Sequence, residues 1–101
     1  MSRVSLETST TVLEFDRDTG SLVRLYSKPS DWEIIKRSRL GLSWRLMLPL
    51  EGRRNNNAWG HLQPQKPVCT AQKEKITFVW DGVESEYGGT HNIKITAVCE
   101  I

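Results

Sequence analysis

The chain has 101 residues, with 14 lysines and arginines against 12 aspartates and glutamates, for a net charge of +2. That length suits one domain with a modest core and is too short for two independent ones. The two signs of charge are interspersed, so the basic stripe that phosphate backbones require is missing, which argues against a nucleic-acid partner. No apolar run approaches the ~20 residues that span a bilayer. The opening "MSRVSLETST" lacks the apolar core of a signal peptide. No membrane partner is expected, and the chain reads as cytoplasmic.

Alternation of apolar and polar residues dominates, which is the signature of half-buried strands. It begins with Val4, Leu6 and Thr8 against Arg3, Ser5 and Glu7, and continues with Leu13 and Phe15 against Val12, Glu14 and Asp16. "FDRDTGSLVRLY" reads as a hairpin in which Asp16, Asp18 and Gly20 supply the turn, with Gly20 suited to a left-handed position beside a bulge. After "SKPSD" comes "DWEIIKRSRL", the only segment whose pattern fits either a turn or two of helix or a short strand. "GLSWRLMLPL" is the cleanest strand: Leu42, Trp44, Leu46, Leu48 and Leu50 point one way, and Pro49 stops pairing on one side or marks an edge.

"GRRNNNAWGHLQPQKP", Gly52 to Pro67, then interrupts the pattern with an irregular polar loop. Beyond it, Ile76, Phe78 and Trp80 share a face of "KITFVW", with turn residues expected at Asp81-Gly82 and Gly88-Gly89. The last run alternates Ile93, Ile95, Ala97, Cys99 and Ile101 against Lys94, Thr96, Val98 and Glu100. Trp44 and Trp80 are assigned to the core, while Trp32 is left open between stapling a sheet edge and standing exposed beside Trp59. The fold expected is all-β, an antiparallel sandwich of about seven or eight strands with little or no helix. Because the chain ends on a strand, it is also expected to be the N-terminal portion of a longer protein, 1–101 forming one domain.

Cys69 and Cys99 are too few for a disulfide framework and too isolated for a metal site. Free, partly buried thiols are expected, with a Cys69–Cys99 bridge open if their strands are neighbours. No metal or other cofactor is expected.

The order "LEFDRDTGSLVRLYSKPSDWEII", "LGLSWRLMLPLEGRRNNNAWG", "KITFVWDGV", "HNIKITAVCEI" resembles the opening of galactose mutarotase-like supersandwich domains, found near the N-terminus of bacterial carbohydrate-active proteins. The hairpin "FDRDTGSLVRLYSK" carries most of the likeness. A full supersandwich is about two to three times this length. The resemblance implies a non-catalytic module that packs on a neighbouring domain or presents carbohydrate to it.

Sugar sites combine a flat aromatic face with planar polar groups for the hydroxyls. The polar loop offers both, so the candidate carbohydrate contacts are Arg53, Arg54, Asn55, Asn56, Trp59 and His61, with Asn57 beside them. The competing reading is a long connection whose asparagines take left-handed turn conformations while Trp59 folds back over the core. No catalytic residues are assigned: Glu84 and Glu86 read as solvated carboxylates on a hairpin arm, and no serine elbow or phosphate loop is present. The alternative function is a protein-interaction or homo-oligomerisation domain that uses the final strand as an exposed edge.

Overall fold

The computed structural model describes residues 2–36 and 43–101. Among them are nine strands, one 3₁₀ turn and no α-helix. Strands β1 (Arg3–Glu7), β2 (Thr11–Asp16), β3 (Ser21–Ser27) and β4 (Trp32–Lys36) form one antiparallel sheet in chain order. β5 (Arg45–Met47) and β6 (Asn57–Trp59) form a two-stranded ribbon, followed by the 3₁₀ turn Gly60–Leu62. β7 (Val68–Ala71), β8 (Lys75–Glu84) and β9 (Thr90–Glu100) make a third antiparallel sheet. The protein is therefore all-β, but its strands divide among three sheets. No described helix is long and apolar enough to cross a membrane.

The β2–β3 hairpin forms as its sequence predicts. Asp16 Oδ1 accepts the Asp18 N–H at 2.9 Å, and Gly20, at φ 72°, returns its own N–H to the Asp16 carbonyl. The register shift between Glu14 and Phe15 leaves Val23 as the extra residue of a bulge. A Cβ on Gly20 would lie 2.6 Å from Trp80, so this turn is also the place where the first sheet closes on the third. "WEIIK" takes the strand alternative as β4, while positions 37–42, including Leu42, lie outside the described residues.

The core lies between these sheets. Leu6 and Phe15 from the first meet Ile76, Phe78 and Trp80 from the third, flanked by Val4, Leu13, Leu22, Ile95, Ala97 and Cys99. Phe15, Phe78 and Trp80 pack as tilted rings, and Trp44 stands edge-on to Trp80 with centroids 5.5 Å apart. Trp80 and Trp44 thus take their expected places, whereas Trp32 is 63% exposed on the edge strand β4. Burying a ring of this size contributes about 3 kcal/mol or more, which is why alternation in these strands decides the face.

Three sequence expectations change. The turn expected at Asp81-Gly82 is instead a bulge inside β8: Gly82 takes φ 89° where the register with β9 shifts, and the chain reverses later, through 85–89. The row Trp44, Leu46, Leu48 and Leu50 keeps its alternating burial, but regular pairing is confined to Arg45–Met47, and Pro49, whose nitrogen points away from β6, lies on the unpaired side of an edge strand. The segment after it is no irregular excursion: Leu50 and Arg53 exchange backbone hydrogen bonds across a tight turn with Gly52 at φ 75°, and Leu48 N donates to Asn56 O at 2.7 Å. "NNNAWG" is therefore the returning arm of a hairpin.

Cys69 and Cys99 are free. They sit on β7 and β9, with β8 between them. Strands two places apart are separated by about 10 Å, beyond the reach of a disulfide.

Candidate functional site

Strand geometry alone decides what the ribbon presents. In β5–β6, Arg45 pairs with Trp59, Leu46 with Ala58 and Met47 with Asn57, so Arg45, Met47, Asn57 and Trp59 share one face and Leu46 and Ala58 the other. Ala58 is 1% exposed, which fixes the second face as the inner one. Trp59 is consequently held half-buried on the outer face and is not folded back over the core. The Arg45 guanidinium lies over its ring at 4.9 Å, and His61 meets it edge-on at 6.2 Å. Arg45 Nε also donates to Asn57 Oδ1 at 3.0 Å.

Beside Trp59 opens a shallow groove of about 160 Å³, lined by Asn57, Trp59, Gln63, Pro64, Glu84 and Glu86 among others. Gln63 ties its floor together: Nε2 donates to the Trp59 and Glu84 carbonyls and Oε1 accepts the Glu84 N–H. Opposite, Glu86 Oε1 accepts both the backbone N–H and the side-chain amide of Asn57, each at 2.9 Å. These hydrogen bonds, first from the side chain and then from the backbone of Asn57, hold the Glu86 carboxyl below the ordinary glutamate range. Glu86 is therefore ionised at neutral pH. Its Oε2 receives no hydrogen bond from the described residues and is available to a ligand hydroxyl.

A polar knot centred on a fully buried asparagine positions this edge of the groove. Asn56, 0% exposed, donates through Nδ2 to Leu48 O, Ser85 Oγ and Tyr87 O, and accepts the Tyr87 N–H at Oδ1. Ser85 Oγ in turn donates to Tyr87 O and lies 2.8 Å from His91 Nε2. A serine beside a histidine invites a nucleophile–base reading. The hydroxyl is instead tied into the knot, donating to Tyr87 O and accepting from Asn56 Nδ2. The cluster is a clip joining the 45–59 hairpin to the 85–91 reversal.

The six residues nominated from sequence are thus separated by the fold. Trp59 and His61 stay together. Arg53 stacks on Tyr87, its guanidinium 3.8 Å from the ring centroid, and Arg54 and Asn55 stand exposed near the hairpin tip. Asn56 is removed from the list, because burial and four internal hydrogen bonds leave it no atom for a saccharide. The left-handed asparagine reading also fails: Asp31 is the only described non-glycine residue with positive φ. Sequence reasoning passed over Gln63, Glu84 and Glu86 as groove residues, and Arg45 as the cation over Trp59. The register of β5 against β6 was a usable signal for Arg45. Glu86 was not accessible that way, since its partner Asn57 is 29 positions distant.

A second cavity of about 220 Å³ is lined by Phe15, Gly20, Trp44, Phe78, Trp80 and Cys99, among others. Ser43 Oγ, Trp44 Nε1 and Trp80 Nε1, nearby and without a hydrogen-bond partner among the described residues, have essentially no exposed surface, so nothing lodged there would reach them. The cavity opens beside the exposed Val98 at the margin of the core. No group of three or more potential metal ligands converges among the described residues. No protein-family model, curated protein or solved structure matches the chain.

Proposed function

We propose that the chain is a non-catalytic β-sandwich module of a carbohydrate-active protein, touching saccharide through the Trp59 groove and packing against a neighbouring domain. The observation that supports this is the pairing of a half-exposed indole with an ionised carboxylate that has one oxygen unengaged. An aromatic face takes the C–H side of a sugar ring, and a carboxylate oxygen accepts its hydroxyls. The groove's 160 Å³ is well under the ~300 Å³ at which ligand pockets begin, so one ring at a rim, bound weakly, is the appropriate scale. Glu84 and Glu86 both line the groove, but both are exposed, without the apolar surroundings that set the acid of a retaining or inverting hydrolase apart from its partner. Two free thiols separated by a strand support a reducing, cytoplasmic setting.

The test is a titration with a panel of neutral oligosaccharides followed by the amide and indole N–H shifts. Shifts confined to Trp59, Asn57, Gln63 and Glu86, and lost in Trp59→Ala, are expected; silence across the panel refutes the saccharide role.

A second reading rests on a separate observation. β9 is eleven residues long and has no described strand on its outer side, which supports a role in strand-to-strand association.

A further inference from the structure

We propose that β9 pairs antiparallel with β9 of a second copy of this chain, about a two-fold axis through Ala97; this inference rests on the edge-strand reading and names its partner.

Six described strands lie at sheet edges; β5 and β6 are only three residues each, which leaves four candidates, β1, β4, β7 and β9. Three carry features that discourage pairing. β7 is only four residues long and enters after Pro64 and Pro67. β4 is broken by a bulge at Ile34, and β1 is a five-residue strand bearing Arg3 and Glu7. β9 has none of these: from Lys94 to Glu100 it runs against β8 without a register shift, and it contains neither proline nor glycine.

Its residues then select the partner and the register. Lys94, Thr96, Val98 and Glu100 are exposed on one face, while Ile93, Ile95, Ala97 and Cys99 turn inward. A two-fold axis normal to the sheet keeps faces matched and sets residues opposite one another at a constant sum of positions. Centred on Ala97, Lys94 faces Glu100 of the second copy, twice over, and Thr96 faces its Val98. On the inner side Ile95 faces its Cys99 and Ile93 its Ile101. Centring on Thr96 sets Lys94 against Val98; centring on Ile95 sets it against Thr96; centring on Val98 sets Glu100 against Thr96. Only the Ala97 register pairs the two charges. Both are free for it, since neither Lys94 nor Glu100 enters an ion pair among the described residues.

Sedimentation equilibrium over a concentration series tests this, with Lys94→Glu, Glu100→Lys and the double exchange. Both side chains are exposed, and far-UV circular dichroism checks that each variant folds. Each single reversal sets like charges opposite one another at two symmetric positions and is expected to weaken the dimer about tenfold or more. The double exchange restores opposite charges and is expected to return Kd to within about threefold of the original. Ala97→Cys in a Cys69→Ser/Cys99→Ser background is expected to form an intermolecular disulfide on the axis. A monomer throughout, or a double exchange as weak as the singles, overturns the proposal. Hydrogen exchange separates its failure from that of the underlying reading: in a monomer, fast outward amides along 93–100 leave the edge open to a different partner, whereas protected ones show it covered within its own chain.

Discussion

Replacing Asn56 is the sharpest test of how the groove is held. Two amide hydrogens serve three acceptors and Oδ1 takes a fourth bond, all at 2.8 to 3.0 Å and with the residue fully buried. Counting the shared donors as two bonds and the acceptor as one, at about 1 kcal/mol each, gives ~3 kcal/mol. In Asn56→Leu the part-buried Tyr87 N–H also loses its acceptor, which raises the expected loss to about 3–5 kcal/mol. For a chain of this size that is a fall in Tm of about 15–25 °C. Asn56→Asp adds a sign. Its carboxylate would face the carbonyls of Leu48 and Tyr87, so the folded pKa of the new Asp would stand above its unfolded value. The penalty would be full above that raised pKa and relieved as pH falls through it. Thermal melts from pH 4 to 8 distinguish the cases. If Asn56→Leu melts within about 5 °C of the parent, the knot contributes little and the account of the groove fails.

Three glycines separate steric clash from backbone strain. Gly20→Ala suffers both, with φ 72° and Trp80 atoms 2.6 Å from the new Cβ, and should destabilise by about 3 kcal/mol or more; Gly52→Ala, at φ 75° with nothing within 4 Å, should cost only about 1 kcal/mol. Gly60→Ala meets Ser43 Oγ and, at 2.8 Å, Trp44 Nε1 without positive φ, and falls between them; urea midpoints in any other order refute this ranking. Glu7, Glu33 and Glu86 have folded pKa values lowered from 4.5, chiefly by hydrogen bonds from Lys28, Arg24 and Asn57 respectively. Their contribution is present above the unfolded value and lost as pH falls through the folded ones, so Tm should be level near neutrality and drop below about pH 4.5, less steeply in Glu86→Gln. Burial raises the Cys99 thiol pKa, so alkylation at pH 8 should be slower at Cys99 in the native protein than in urea; equal rates would contradict its packing against the core.

Period-two burial made most of this fold legible. Inward rows such as Ile76/Phe78/Trp80 and Ile95/Ala97/Cys99 follow from the cost of wetting them, whatever the topology. The turn at Gly20 was legible for a similar reason, because few residues tolerate its φ. Pairing between distant segments was not. Asn55, Asn56 and Asn57 look alike in sequence, yet the second becomes the buried centre of a knot because Ser85 and Tyr87 arrive from 29 and 31 positions away. Asp81-Gly82 likewise carries turn chemistry, and only the length of the opposing β9 converts it into a bulge.

The groove and the pairing edge lie at opposite ends of one hairpin, which makes their combination testable. Glu84 pairs with Thr90 at the groove end, and Ala97 lies seven positions further along β9. At about 3.3 Å per residue that is ~23 Å, and an antiparallel two-fold doubles it, setting the two grooves of a dimer about 45 Å apart at its far ends. A short oligosaccharide cannot bridge that distance, whereas a polysaccharide surface can engage both grooves, and the second contact then gains effective concentration. Lys94→Glu should therefore leave affinity for a soluble oligosaccharide unchanged while lowering retention on immobilised polysaccharide by about tenfold or more. Trp59→Ala should abolish both. Equal losses on the two ligands in Lys94→Glu would show that β9 acts on the groove through the fold and not through a second copy.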